Sequence, residues 1–165
     1  MLTNASHALT ALEGERADFP GLGSRYVLRG YKTDGRFAVI EHTIPPRTLA
    51  APTHVHENED EYSFVLTGTM GAEIGDETVT AEPGDLVAKP RGVPHAFWNP
   101  GDTETRVLEI ISPAGFEQFF ADLAPLLAVD GEPDFEAVLE IQVRYGLTMD
   151  FDTIGSLMQA HGLES

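Results

Sequence analysis

The chain has 165 residues and an ordinary apolar content of 42%, which favours one domain with a substantial core. Its formal net charge is −17, with only ten scattered Lys and Arg residues, so a nucleic-acid partner is not expected. No apolar run approaches the roughly 20 residues that span a bilayer, and the first residues lack a secretory pattern. The absence of cysteine excludes disulfides and thiolate metal sites. We therefore expect a soluble cytoplasmic protein that binds neither nucleic acid nor a membrane.

The segment 24–111 is predicted to be rich in β-strands. Short β-favouring runs alternate there with Gly, Pro and Asp residues, and the clearest breaks are 75–77 and 82–85. Such spacing is typical of an all-β sandwich or barrel. Residues 1–23 carry weak signals and are predicted to form an N-terminal arm. The predicted strands are Ser24–Tyr31, Arg36–Ile44, Tyr62–Leu66, Met70–Ile74, Thr78–Ala81, Asp85–Ala88, Ala96–Asn99 and Thr105–Ile111.

The segment 112–165 changes to helical spacing. Ser112 is predicted to cap a helix, with Pro113 at its first position. Two further short helices are predicted, from Asp134 to about Gly146 and from Thr153 to about Gly162. We interpret this segment as a helical extension of the same domain that packs on the β-core. Its apolar stripe is interpreted as packing rather than as a cofactor site, and consists of Phe116, Phe119, Phe120 and Leu123.

Metal-ligating residue types cluster in two short blocks, 54–61 and 90–95. His54 and His56 are two residues apart, so both point to one side of a strand. His95 stands in the second block. Imidazole and carboxylate ligands together suit a divalent transition metal, although a lone histidine pair is more often structural. Strand parity cannot choose the acidic ligand, because a loop follows the pair, and the candidates are Glu57, Glu59, Asp60 and Glu61.

The two blocks resemble the two sequence motifs of the cupin superfamily. The first motif, G-x5-H-x-H-x3,4-E-x6-G, is filled except for its first glycine, where this chain has Thr48. The second, G-x5-P-x-G-x2-H-x3-N, is filled at every position. The motifs cover residues 48–99, and the β-rich flanks extend the resemblance to about residue 111. The matching residues are His54, His56, Glu61 and Gly68, followed by Gly84, Pro90, Gly92, His95 and Asn99.

The resemblance implies a jelly-roll barrel, a double-stranded β-helix, with one divalent transition metal inside. The sequence does not choose among Fe, Mn, Co, Ni and Zn. The spacing to Gly68 selects Glu61 as the acidic ligand, which leaves Glu57, Glu59 and Asp60 as a solvated acidic turn. The implied metal ligands are His54, His56, Glu61 and His95.

Strand parity places further side chains relative to this site. Ser63 shares a face with Glu61, and Phe97 shares one with His95, so both are candidates for the substrate cavity. Phe97 is equally well explained as a core aromatic. The opposite face of the strand after the first motif is largely apolar, and either the helices or a second copy of the chain in a homodimer would cover it. That face carries Tyr62, Phe64 and Leu66.

Within the superfamily, the chain resembles bacterial single-domain cupins related to quercetin 2,3-dioxygenase. The resemblance rests on the barrel-plus-helix layout and on the run 112–117 after the last strand. This resemblance implies a metal-dependent dioxygenase acting on a small phenolic, flavonol-like or enediol substrate, with Glu61 both ligand and general base. A non-oxidative metal-dependent isomerase, lyase or decarboxylase is the first alternative. A ligand-binding cupin without catalysis is the second.

Overall fold

The computed structural model describes residues 14–128 and 133–164. These residues form β-strands in two antiparallel sheets, three α-helices and a short 3-10 turn at Gly30–Lys32. The strands are β1 Arg16–Phe19, β2 Leu22–Leu28, β3 Ala38–Ile44, β4 Leu49–His56, β5 Asp60–Thr67, β6 Met70–Ile74, β7 Glu77–Ala81, β8 Leu86–Lys89, β9 His95–Trp98, β10 Thr105–Ser112 and β11 Leu147–Met149. The helices are α1 Glu117–Leu127, α2 Phe135–Arg144 and α3 Thr153–His161.

The strand order shows the jelly roll. One sheet runs β1-β2-β3-β10-β5-β8 and the other β11-β4-β9-β6-β7. Strands distant in the chain are therefore neighbours, with β10 hydrogen-bonded between β3 and β5, and β9 between β4 and β6. The expected all-β jelly-roll core with added helices is confirmed.

Alternating strand residues face the space between the sheets. In β10, Val107 and Ile111 are fully buried and Glu109 lies between them on the same face. In β3, His42 is buried between Ile40 and Ile44 in the same way. Charged and polar side chains thus occupy inward positions beside the apolar core, and these positions form the site described below.

The helices cover this core. The helix α1 packs against β1 and α2, and α3 packs against β4. At the end of α3, Nε2 of His161 lies 2.8 Å from Oε1 of Glu73, and its ring stacks on Trp98 with 3.8 Å between ring centroids. Within the described ranges, no helix is both long enough and apolar enough to cross a membrane.

The described fold differs from the predicted elements at several places. The predicted strand Ser24–Tyr31 stops at Leu28, because Gly30–Lys32 form a 3-10 turn, and β4 was not among the predicted strands. The sheet already begins at Arg16, inside the predicted N-terminal arm, while residues 1–13 lie outside the described ranges. The three-residue β11 was not predicted. The predicted cap at Ser112 is wrong, because Ser112 is the last residue of β10 and pairs with Asp60. The strand pairing outweighs the local capping signal, and α1 begins at Glu117 instead.

The start of α2 and the end of α3 agree with the signals predicted from the sequence. The Asp134 side chain accepts hydrogen bonds from the backbone N–H groups of Glu136 and Ala137, at 3.1 and 3.2 Å, and caps α2 as its sequence position suggests. The helix α3 ends at Gly162, whose φ of 62° is left-handed and suits glycine.

Candidate metal centre

Four buried side chains from three strands converge between the sheets. His54 and His56 come from β4, Glu61 from β5 and His95 from the start of β9. His54 and His95 are directly opposite each other in the pairing of β4 with β9. The candidate ligand atoms of all four residues lie within 4.8 Å of one another. The sheet register therefore brings together the four residues that the motifs marked.

Two of the imidazoles are oriented by backbone carbonyls. The Nδ1 atom of His54 lies 2.8 Å from the Pro52 carbonyl oxygen, and that of His95 lies 3.0 Å from the Val93 carbonyl oxygen. Since a carbonyl only accepts, Nδ1 carries the proton in both rings. The Nε2 lone pair of each ring is then free for a metal ion.

The Nε2 atoms of His56 and His95 lie close to the Glu61 carboxylate. Nε2 of His56 and Nε2 of His95 each lie 3.6 Å from Oε2 of Glu61. Both nitrogens are buried without a hydrogen-bond partner. Buried polar atoms are rarely left unpaired, so these atoms indicate that the cluster is built around a missing partner.

This cluster fits a divalent transition metal. Opposite ligands of an ion bound at about 2.0–2.2 Å lie about 4.0–4.4 Å apart, so the side chains close on an ion with shifts of a few tenths of an ångström. Burial holds the pKa of His54 well below its usual value and also lowers the pKa of His95. Neutral imidazoles are the form that binds metal. No cysteine competes, so imidazole and carboxylate set the preference.

A buried lysine lies beside the cluster. Nζ of Lys89 is 3.0 Å from Oε2 of Glu61 and 2.9 Å from Oε2 of Glu109. Ser63 Oγ donates a 2.7 Å hydrogen bond to the same Glu109 oxygen. The ammonium also lies 4.6 Å from the ring centroid of Phe97, a cation–π distance.

The Lys89 ammonium favours the charged form of both neighbouring carboxylates, Glu61 and Glu109. Burial alone raises the pKa of Glu61, but Lys89 and the nearby histidines outweigh it and hold that pKa well below its usual value. Burial raises the pKa of Glu109 to about 7, because Lys89 offsets it only in part. The pKa of Lys89 is raised, since the two carboxylates outweigh its burial. Glu61 is therefore an anion at neutral pH, as a metal ligand must be.

A cavity of about 430 Å³ opens onto the metal cluster, within the roughly 300–1,000 Å³ range of small-molecule sites. Its wall is mostly apolar and includes Phe97, as expected. Ser63 does not line it, since Ser63 lies behind Glu109 and supports that carboxylate. The phenylalanine stripe interpreted as packing both packs and forms cavity wall. The wall residues from this stripe are Phe116, Phe119, Phe120 and Leu123.

Sequence reasoning missed four buried polar residues that line the cavity. Three of them, His42, Lys89 and Glu109, stand at inward positions of β3, β8 and β10, where alternation with buried apolar neighbours was a usable signal. Nδ1 of His42 lies 3.0 Å from Oγ of Ser24, and burial lowers the pKa of His42 to about 4. The fourth is Gln142 of α2, whose Nε2 is buried without a partner.

The acidic turn after His56 is only partly solvated. Glu57 is exposed, as expected, and Asp60 is paired with Arg91 at 2.8 Å. The prediction is wrong for Glu59, which is 7% exposed. The turn folds back on the barrel, which turns this one side chain inward.

Comparison with known proteins relates the centre to a family. Residues 40–111 match the family described as Cupin domain. This segment, less than half of the chain, is therefore similar to a cupin domain. It contains all four candidate ligands and both Lys89 and Glu109. No functionally curated protein matches the chain significantly.

Solved structures support the cupin fold. KdgF from Halomonas sp. superposes with a TM-score of 0.60 at 18% identity, covering 69% of this chain and 99% of that one. A predicted oxalate decarboxylase from Thermotoga maritima gives 0.54 at 22% identity, covering 60% and 90%. The polyketide cyclase RemF from Streptomyces resistomycificus gives 0.56 at 23% identity, covering 66% and 80%. At these identities the likeness concerns the fold alone.

Proposed function

We propose that the protein is a metal-dependent dioxygenase that acts on a small phenolic, flavonol-like or enediol substrate. The observation that carries the proposal is that His54, His56 and Glu61 line a substrate-sized apolar cavity. A structural metal site, in contrast, is closed by its ligands. A divalent iron, manganese, cobalt or nickel ion held there would bind a substrate oxygen, lower the pKa of its hydroxyl and hold it near O₂.

The cavity wall supports an aromatic substrate. Phe97 and the α1 rings offer faces and edges that favour contact with another aromatic ring. The buried Nε2 of Gln142 has no partner, and a buried donor left unpaired costs about 1–3 kcal/mol. An acceptor oxygen on the substrate would remove that cost. A planar, polyhydroxylated molecule meets both requirements.

Glu61 is the proposed general base. Its Oε2 faces the nitrogens of His56 and His95, where a substrate hydroxyl would approach, and a carboxylate that loosens as the substrate arrives can take the hydroxyl proton. The Lys89 ammonium, 3.0 Å away, would stabilise the resulting substrate oxyanion. The apolar wall excludes water from that anion.

The test is oxygen uptake by protein reconstituted separately with Fe²⁺, Mn²⁺, Co²⁺ and Ni²⁺, over a panel of flavonols, catechols and enediols. The His95→Ala variant serves as the metal-deficient control. His161→Ala is the matched control, because it also removes a histidine but lies on α3, paired with Glu73. We expect uptake with the wild type and His161→Ala and none with His95→Ala. No uptake with any metal across the panel would defeat the dioxygenase proposal.

A non-oxidative isomerase, lyase or decarboxylase is the second candidate. Lys89 favours it, since a buried ammonium beside the ligands can stabilise an enediolate without any electron transfer. Turnover without oxygen, or with redox-silent Zn²⁺, would support this class. Binding without turnover would indicate a ligand-binding cupin. A cytoplasmic location and a homodimer through the face of Tyr62, Phe64 and Leu66 remain predictions.

A further inference from the structure

The three histidine ligands do not share one support. In His54 and His95, Nδ1 faces the carbonyl oxygen of the residue two positions earlier, at 2.8 and 3.0 Å. In His56, both ring nitrogens are buried without a hydrogen-bond partner, and the side chain is 1% exposed. His56 therefore lacks the backbone acceptor that orients the other two rings.

A carboxylate lies beside the unsupported nitrogen. Oε2 of Glu59 is 3.6 Å from Nδ1 of His56 and is itself buried without a partner. The distance exceeds that of an N–H···O hydrogen bond by about 0.4–0.9 Å, which a small side-chain rotation can close. Two buried orphan atoms of complementary type thus face each other.

The turn holds Glu59 in place. The His56 carbonyl oxygen accepts a 2.8 Å hydrogen bond from the Gly92 N–H, and the Glu57 N–H donates a 2.9 Å bond to the Gly146 carbonyl. Both bonds belong to the peptide group between His56 and Glu57, and they fix the start of the turn against two neighbouring loops. Among the three acids of the turn, Glu57 is exposed and Asp60 pairs with Arg91. Glu59 alone points inward, toward a metal ligand.

Metal binding would give this pair a defined chemistry. When Nε2 of an imidazole gives its lone pair to a cation, the ring proton must stay on Nδ1. That N–H needs an acceptor, and metal-bound histidines almost always have one. We propose that Glu59 is a positioning residue that accepts a hydrogen bond from the Nδ1–H of His56 and so fixes the tautomer and orientation of this ligand. The proposal rests on the metal site of the proposed function.

The test compares three variants by their Zn²⁺ dissociation constants, measured in competition with a chelating indicator. Glu59→Leu removes the acceptor, and we expect affinity to fall by about 10- to 100-fold. Glu59→Gln keeps a neutral acceptor oxygen and should recover part of that loss. Glu57→Gln removes an exposed charge from the same turn and should bind like the wild type, which separates hydrogen bonding from net charge.

A second readout reports on the ring itself. In ¹H–¹⁵N spectra of the zinc-loaded protein, His54, His56 and His95 should each give an Nδ1–H signal. Glu59→Leu should shift or remove the His56 signal and leave the other two in place. If Glu59→Leu does not fold, the wild-type His56 signal and the Glu59→Gln affinity decide the question.

The outcomes separate the two proposals. Wild-type affinity in Glu59→Leu with an unmoved His56 signal would overturn the role of Glu59 and leave the metal site intact. A wild-type protein that binds no divalent ion would overturn both. A missing His56 Nδ1–H signal in zinc-loaded wild type would also refute the assignment to Glu59.

Discussion

The buried neutral His42 should make the protein sensitive to mild acid. His42 lies between Ile40 and Ile44 on the inward face of β3, is 1% exposed and has a pKa lowered to about 4 by burial. In the unfolded chain the pKa returns to about 6.5. Between these values the unfolded state binds a proton that the folded state does not, so the free energy of unfolding falls as pH falls.

The size of the effect follows from the two pKa values. Going from about pH 7.5 to about pH 5.0, a group with these values lowers the free energy of unfolding by about 2 kcal/mol. The lower pH stays above the sequence pI of about 4.5, where precipitation would interfere. His42→Asn keeps a polar atom near the position of Nδ1 for Ser24 and does not titrate.

The assay is urea unfolding at both pH values, followed by the fluorescence of Trp98, the single tryptophan. A metal chelator removes the separate pH dependence of metal binding. Other buried histidines titrate in both proteins, so the difference between wild type and His42→Asn isolates His42. We expect the wild type to lose about 2 kcal/mol more than the variant over this interval. Equal losses would refute the reasoning.

Three further predictions concern the metal site and the core. Replacing His54, His56 or His95 by alanine should remove most of the bound metal, measured by elemental analysis, while circular dichroism still shows a folded barrel. The control His161→Ala should keep its metal. Metal retention in all three ligand variants would contradict the assignment. Asn99→Ala removes an amide whose Nδ2 lies within 3.0 Å of three backbone carbonyls, and should cost about 2 kcal/mol in urea unfolding; an unchanged value would argue against this role. Gly71→Ala would place a Cβ 2.2 Å from Nε1 of Trp98. The substitution should lower the free energy of unfolding by about 1–3 kcal/mol and change the tryptophan emission. If neither quantity changes, the contact relaxes freely and the prediction is wrong.

The four candidate metal ligands could be marked from the sequence because their information is local. His54 and His56 are two residues apart on a strand, and this spacing alone places them on the same face. The motif spacing identifies Glu61 and His95. The structure then places all four ligand atoms within 4.8 Å. The jelly roll follows from the same motifs, since they belong to strands that must pair across the barrel.

Elements fixed by distant contacts were harder to predict. The strands β1 and β11 have four and three residues and lie at the edges of their sheets. The strand β4 pairs with β9 through two register shifts, so counting from Leu49 does not give the inward face at His54. Ser112 has the chemistry of a helix cap, but its pairing with Asp60 keeps it in β10. For β11, β4 and Ser112, pairing with a strand distant in sequence outweighs the local preference.

The contact between Lys89 and Glu109 could not be predicted for a different reason. Lys89 and Glu109 follow the same alternation as Val87 and Val107, so parity alone would have placed both inside. A lysine and a glutamate in separate strands give no sign in sequence that they are partners. Their contact at 2.9 Å depends on the order of β10, β5 and β8 in the sheet.

The strands carry the candidate ligands of the proposed site, and the helices form much of its cavity wall. The ligands and the Lys89–Glu109 pair stand on strands, where backbone hydrogen bonds fix the register and the distances between side chains. Much of the cavity wall comes instead from α1, α2 and α3, which are held by side-chain packing. Because packing adapts to changes of shape more readily than a strand register does, substitutions such as Leu123→Phe should alter the accepted substrate while the metal affinity stays unchanged. The same division would let a barrel of this kind keep a metal site while the covering helices change the molecule that reaches it.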